Sequence, residues 1–150
     1  MAIDNLAALL DLNTLPGLRR PDTKIAQAWL REHAHEYDSV EFNVRLGEGI
    51  VLPESADESM KLFAAAVSTK KADMVLRRGA DATIVEVKIR VGGAALGQLV
   101  LYRDLYRKKF PDVGDVRLIV AGQFLEPDVA ATYQAHDIAI ELYPAAVAAT

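Results

Sequence analysis

The sequence predicts an α/β fold in which a mixed central β-sheet is flanked by helices. Short apolar segments with strand character recur along the chain, and from Thr83 to Tyr143 it alternates strand, helix, strand, helix, strand. Parallel neighbouring strands need crossover connections, which are right-handed and usually helical, so this alternation indicates some parallel pairing. The 150 residues, 51% of them hydrophobic, suit one domain with a sizeable core.

The N-terminal part predicts two helices and a strand. Apolar residues spaced for one helix face over residues 3–12 predict a short helix within an N-terminal helical extension, residues 1–21. Pro21–Thr23 would cap a second helix over Lys24–Glu36. From Ser39 to Leu46 apolar and polar residues alternate, which is typical of a half-buried strand.

The middle of the chain predicts a short strand, a helix and a hairpin. Ile50–Leu52 would continue the sheet. Ser55–Val67 would form a helix whose inner face carries four side chains: Met60, Phe63, Ala64 and Val67. Strands at Ala72–Arg77 and Thr83–Arg90 are joined by the turn-forming segment Gly79–Asp81.

The C-terminal part predicts two helices that alternate with two strands. A long helix covers Ala94–Phe110 and is followed by a strongly apolar strand, Val116–Ala121. A second helix begins at Glu126 and extends to about His136, before a last strand over Ile138–Tyr143. The final residues, 145–150, would form a frayed tail.

Composition excludes several classes of protein. The chain contains no cysteine, which rules out disulfides and thiolate metal sites. The N-terminal segment carries acids and lacks the basic region of a signal peptide, and no apolar run is long enough to span a bilayer. We therefore expect a soluble, cytoplasmic protein without a membrane partner.

Charge is distributed unevenly along the chain. The net charge is −4, yet between Lys61 and Arg117 lysine and arginine outnumber aspartate and glutamate by 12 to 6. A basic segment within an acidic chain indicates either a polyanionic partner or solvated helix faces.

Three charged residues on two neighbouring strands are the main functional signal. Asp73 opens one apolar strand, and Glu86 and Lys88 lie two residues apart on the next. Alternate side chains of a strand share a face, so Glu86 and Lys88 point the same way, and Asp73 lies beside Glu86 if the strands pair. Two carboxylates suit a hard divalent cation, and a neighbouring lysine can hold a phosphate or orient a water.

The long helix adds a second signal. Gln98 and Tyr102 are four residues apart and therefore share a helix face, which can return over the carboxylates. Asp73, the Glu86–Lys88 segment and this Gln-xxx-Tyr spacing together resemble the PD-(D/E)XK phosphodiesterase superfamily, in particular the QxxxY element of RecB-type nucleases. Glu86 and Lys88 supply its ExK pair.

The resemblance covers roughly residues 70–143, because it also includes the strands at Val116–Ala121 and Ile138–Leu142. This segment is similar to archaeal and actinobacterial endonucleases of the mismatch or branched-DNA type and, more distantly, to Holliday-junction resolvases. The resemblance implies a restriction-endonuclease-like core and a metal-dependent endonuclease or exonuclease that cuts DNA rather than RNA. The alternative is a catalytically inactive module of the same fold that binds nucleic acid or a protein partner.

The resemblance also implies a role for each matching residue. Asp73 and Glu86, with the backbone carbonyl of Val87, would bind Mg²⁺ or Mn²⁺. Lys88 would position the attacking water and stabilise charge on the phosphate. Gln98 would orient the substrate or the active site, and Tyr102 would support the site from the helix.

One family element has no clear counterpart. An acid usually projects from the helix before the first strand, and alignment by distance to that strand gives Gln27, whose amide carries no charge. Glu32 and Glu36 are nearby alternatives on the helix, and Glu41 is one on the strand. Without such an acid, a one-metal site is the simpler model.

Basic residues around the motif are candidates for nucleic-acid contact. They would touch backbone phosphates or form a solvated face: Lys70, Lys71, Arg90, Arg103 and Arg107. The chain shows no specificity domain, so target choice would come from a homodimer, a separate specificity partner or nucleic-acid shape.

Two histidines in the second helix, His33 and His35, are separated by two positions. Such spacing places them on different helix faces, so the sequence predicts surface residues rather than shared metal ligands.

Overall fold

The computed structural model describes residues 6–147, and within them it contains one five-stranded sheet flanked by helices. The helices, numbered α1 to α5, cover Leu6–Leu10, Arg20–His33, Glu58–Ser68, Gly93–Lys109 and Ala130–Ala135. The strands, numbered β1 to β5, cover Ser39–Arg45, Lys71–Arg78, Asp81–Val91, Val116–Leu125 and Ile138–Leu142. The mixed α/β architecture predicted from the sequence is confirmed.

The strands lie in the sheet in the order of the sequence. The first three strands pair antiparallel, whereas β3, β4 and β5 pair parallel through helical crossovers. The turn between β2 and β3 has only two residues, because Arg78 pairs with Asp81. Gly79 takes φ +57° at its first position, a conformation that glycine adopts without the steric cost of a Cβ atom.

Apolar residues fill the space on both faces of the sheet, as alternation along each strand requires. The core under α4 includes Ile84 and Leu99, and the core under α2 includes Trp29, Met74 and Val85. The sheet is therefore packed between helices, and the ends of its strands lie at the edges of the two apolar cores.

The N-terminal segment is fastened to α2 by buried polar groups. The Gln27 amide donates to the carbonyls of Leu9 (3.1 Å) and Leu12 (2.8 Å). The Leu15 N–H donates to the Thr23 hydroxyl at 3.0 Å. These bonds fix the course of the chain before α2, where the loop passes close to β1.

Three local predictions differ from the structure, and part of a fourth lies outside the described residues. Helix α2 begins at Arg20, four residues earlier than predicted, because Pro21 occupies its first turn, where the missing N–H costs nothing. Ile50–Leu52 lies in a segment without regular secondary structure and does not continue the sheet. Residues 3–5 of the first predicted helix lie outside the described residues. The predicted tail is not wholly frayed, since Ala146 and Val147 pack on the α2-side core, while residues 148–150 lie outside the described part.

The inner face predicted for α3 is wrong. Met60, Phe63 and Val67 are exposed, and of the four predicted inner residues Ala64 is half-buried. The apolar spacing correctly predicted a helix, but spacing cannot tell whether the fold leaves a surface for that helix to cover. Here both sheet faces already carry other helices.

None of the helices within residues 6–147 has the length and apolar character needed to cross a membrane.

We expect Gln27→Met to lower the free energy of unfolding by about 1–3 kcal/mol, because two inward carbonyls lose their donor. Urea denaturation measures the change. Gln134→Met on α5 is the matched control, since Gln134 is exposed and should change stability by less than about 0.5 kcal/mol. Equal effects of the two substitutions would contradict the role assigned to Gln27.

Candidate functional site

The antiparallel ladder between β2 and β3 ends where two carboxylates enter it. Met74 pairs with Val85, but one residue further the side chains replace the main-chain pairing. The Asp73 N–H donates to Oε1 of Glu86 at 3.2 Å, and the Val87 N–H donates to Oδ2 of Asp73 at 2.8 Å. Each carboxylate is thus fixed by the backbone of the other strand.

Lys88 extends from β3 on the same side as Glu86. Its Nζ atom lies 4.0 Å from Oε2 of Glu86. The Glu86 side chain is 4% exposed, whereas that of Lys88 is 33% exposed. The carboxylate is therefore held inside the protein, and the ammonium lies at the boundary with solvent.

A cavity of about 400 Å³ opens over these residues. Lys71 lies at its margin. The cavity is lined by all six residues predicted to form its centre: Asp73, Glu86, Val87, Lys88, Gln98 and Tyr102. Helix α4 begins two residues after β3 ends, so its first turns return over the strand that carries Glu86. The Gln98 Oε1 atom is buried, with no hydrogen-bond partner among the described residues.

Asp22 is a third acidic residue of the cavity, and the sequence pattern did not assign it to the site. It lies in the first turn of α2, is buried, and accepts a hydrogen bond from Arg19 Nε at 3.1 Å. Its negative charge contributes to raising the pKa of Asp73, although burial is the largest cause. Its spacing to Ala26 and Trp29 on the buried face is the signal that could have revealed it.

The loop before α2 reaches the cavity through a close backbone approach. Gly17 lines the cavity with φ +79°, and a Cβ atom there would lie 2.6 Å from Cγ of Asn43 on β1. Only glycine fits both the conformation and the contact. Gly17 therefore allows the loop that carries Arg19 to pack closely against β1.

The two central carboxylates disfavour each other's ionisation. Burial and the neighbouring Asp73 charge raise the pKa of Glu86 to about 8. Burial also raises the pKa of Asp73, although the hydrogen bond from the Val87 N–H opposes the shift. In the absence of a cation the pair therefore retains a proton near neutral pH.

The hydroxyl of Tyr102 is kept protonated. Burial raises its pKa, and the charges of Glu86 and Asp73 raise it further, while a hydrogen bond from Gln98 acts in the opposite direction. Tyr102 can therefore donate a hydrogen bond toward the cavity but is a poor base at neutral pH.

The candidates for the missing helix acid do not line this cavity. Gln27 is buried and bonded to the N-terminal segment. Glu32 lies near the other end of α2, beside His33, and Glu36 and Glu41 are exposed. The early start of α2 places Asp22, rather than any of these, at the cavity.

The predicted nucleic-acid contacts separate into two groups. Lys71 lines the cavity, and Lys70 and Arg90 are exposed outside it. Arg103 and Arg107 lie instead on a different depression, shared with Asp115, Arg117 and Asp137. The Arg107 side chain also donates to the Gly114 carbonyl at 3.2 Å. The structure therefore does not bring these two arginines to the carboxylates.

The acidic residues of the cavity are of the type that binds hard divalent cations. Asp73, Glu86 and Asp22 line it together with Val87. Oxygen ligands of this kind are preferred by Mg²⁺ and Mn²⁺. Burial and the Asp73 charge raise the pKa of Glu86 to about 8, and a cation would relieve the repulsion between the two carboxylates.

No protein-family model matches the sequence, and comparison with curated proteins and with solved structures found no match either. The class that the fold and the cavity define is an α/β protein with a carboxylate-lined, lysine-containing cavity.

Without divalent cations, the free energy of unfolding should fall as pH rises from about 5 to about 8. The Glu86 carboxyl has a pKa of about 8 in the folded chain against an ordinary 4.5, so the folded state binds more protons across this range. The loss is up to about 4 kcal/mol, since one pKa unit corresponds to about 1.4 kcal/mol. Chemical denaturation in chelator measures it.

Glu86→Gln should remove most of this pH dependence, because the amide stays neutral at every pH. Glu41→Gln is the control, since Glu41 is exposed on β1 and should leave the slope unchanged. The explanation fails if wild type and Glu86→Gln lose stability in parallel.

Proposed function

We propose that this chain is a metal-dependent nuclease of the PD-(D/E)XK type that hydrolyses phosphodiester bonds, with DNA as its substrate. The observation that carries the proposal is the convergence of Asp73, Glu86 and Lys88 on one cavity. Asp22 adds the helix acid that the sequence pattern lacked. A restriction-endonuclease-like core is part of the same proposal.

A structural role is a poor explanation for this arrangement. A buried carboxylate beside a half-buried one lowers stability through desolvation and mutual repulsion, which is why the pKa of Glu86 rises to about 8. One lysine at 4.0 Å does not offset both charges. Strained titratable groups that line a cavity are typical of functional sites.

Asp73, Glu86 and Asp22 would hold Mg²⁺ or Mn²⁺, together with the Val87 carbonyl. When bound, the cation would supply a Lewis acid for a phosphoryl oxygen and a hydroxide at neutral pH. With Asp22 as a third carboxylate, the donor set is richer than the one-metal model built on Gln27.

The remaining residues act on the phosphate and the water. The Lys88 ammonium, one-third exposed, can pair with a phosphate oxygen and hold an attacking water. The free Gln98 Oε1 can accept a hydrogen bond from that water or from a substrate hydroxyl. Tyr102, which stays protonated, can donate a hydrogen bond and keep Gln98 in place.

Nucleic acid suits the charge at the margin of the cavity. Lys71 and Arg19 line it beside the acidic centre, so a phosphate backbone can be held while one phosphate enters. A homodimer would offer two such cavities to two strands, and a separate specificity partner would select the target.

Glu86→Gln and Lys88→Ala should each lower cleavage of plasmid or single-stranded DNA in Mg²⁺ or Mn²⁺ by on the order of 10²-fold or more. Both changes remove groups that face the cavity, so circular dichroism should show the fold retained. Lys24→Ala, at an exposed position of α2, should cut at the wild-type rate.

Calorimetric titration of Mn²⁺ separates the two candidate functions. Binding by wild type and its loss in Asp73→Ala, together with nicking, supports the nuclease. A wild-type chain that neither binds Mn²⁺ nor cuts in the presence of DNA would be the inactive binding module instead.

Lys71→Ala should weaken DNA binding and reduce the slope of log affinity against log salt by about 0.7–0.9, the value for one lost phosphate contact. Arg103→Ala and Arg107→Ala should leave the slope unchanged, since both lie at a different depression. Fluorescence anisotropy at several salt concentrations measures the slopes. A larger effect at the arginines would move the binding surface to the C-terminal half of α4.

A further inference from the structure

A second polar cluster lies at the other end of α2, beside the last strand. His33 is the final residue of α2, Glu32 precedes it, and Glu141 projects from β5. The parallel register places Glu141 opposite Ala121 of β4, at the C-terminal end of the sheet. The fold therefore joins groups that are more than 100 residues apart in sequence.

The His33 ring is held firmly by its neighbours. Its Nδ1 atom lies 2.7 Å from Oε2 of Glu36, within hydrogen-bonding distance. The ring packs against Trp29 with centroids 4.9 Å apart. On the opposite side, the Tyr143 hydroxyl donates to Oε2 of Glu141 at 3.2 Å. The imidazole and the facing carboxylate are thus both oriented by other side chains.

The other ring nitrogen faces two further carboxylates of the cluster. The His33 Nε2 atom lies 2.6 Å from Oε2 of Glu141 and 3.5 Å from Oε1 of Glu32. It is buried, lies at ion-pair distance from both carboxylates, and forms no hydrogen bond of regular geometry among residues 6–147. Two acidic groups therefore converge on one ring nitrogen.

We propose that Glu32, His33 and Glu141 bind a divalent transition-metal ion of the zinc class. One ligand atom from each residue lies within 4.8 Å of the other two. Imidazole nitrogen with carboxylate oxygens is a ligand set that suits zinc better than magnesium. The contact between Nδ1 and Glu36 is the carboxylate–histidine arrangement that orients metal-binding imidazoles.

This site is separate from the cavity that holds Asp73. His33 follows Asp22 by eleven positions along the helix, a rise of roughly 16 Å, whereas paired catalytic metals lie about 4 Å apart. The ion would instead connect the C-terminal end of α2 to β5 and would stabilise the folded chain by binding it preferentially.

The Asp73→Asn/Glu86→Gln variant of the 150-residue chain, in which the first cavity is disabled, provides the background for the test. Calorimetric titration with Zn²⁺ should show one ion per chain, and saturating Zn²⁺ should raise Tm. His33→Ala should weaken binding at least 100-fold and abolish the Tm shift, and Glu36→Gln should weaken it 10- to 100-fold. His35→Ala and His136→Ala, at exposed positions, are the matched controls and should bind like the background.

Glu32→Gln/Glu141→Gln provides an independent test should His33→Ala fail to fold, and it should lose zinc in the same way. The proposal is overturned if the background variant binds no zinc, and a protonated imidazole between carboxylates would then account for the cluster. It is also overturned if zinc binding survives in His33→Ala or in Glu32→Gln/Glu141→Gln, or if it disappears in His35→Ala or His136→Ala.

Discussion

The reciprocal hydrogen bonds between Asp73 and Glu86 and the backbone of the facing strands are the constraint on which the cavity depends. Each carboxylate accepts a backbone N–H from the facing strand, so the pairing continues through side chains where the β2–β3 ladder ends and both amides are bonded. The same bonds offset part of the cost of placing the two acids together. The apolar cores on both faces then hold the strands in this arrangement.

The central pair was predictable because a two-residue turn fixes a register. Once Arg78 pairs with Asp81 across Gly79, the antiparallel count places Asp73 opposite Glu86. Alternation along β3 then determines that Lys88 shares the face of Glu86. The Gln98 and Tyr102 positions follow from helical spacing and the short connection to α4. Local rules thus sufficed for five residues of the cavity.

Features that depend on tertiary packing could not be predicted from local sequence rules. Asp22 follows a proline, so local rules place it in a helix cap, whereas in the structure one additional turn of helix turns it inward. The amphipathic pattern of α3 gives no information on whether a partner surface exists, and in the structure its apolar residues are exposed. The arginines of α4 share the basic segment of the sequence but lie on a different surface from the carboxylates.

Helix α2 has one polar site at each end, and the direction of its dipole favours the charge found at each. Its N-terminal end carries positive partial charge, which favours the Asp22 carboxylate, and its C-terminal end favours a cationic imidazole or a metal ion at His33. Burial alone would lower the pKa of His33, yet the hydrogen bond to Glu36 and the charge of Glu141 raise it. The cluster therefore attracts positive charge of either kind, and a zinc ion would compete with the proton for Nε2. Because α2 is packed against the sheet along its length, fixing its C-terminal end to β5 would also steady the Asp22 end that completes the cavity.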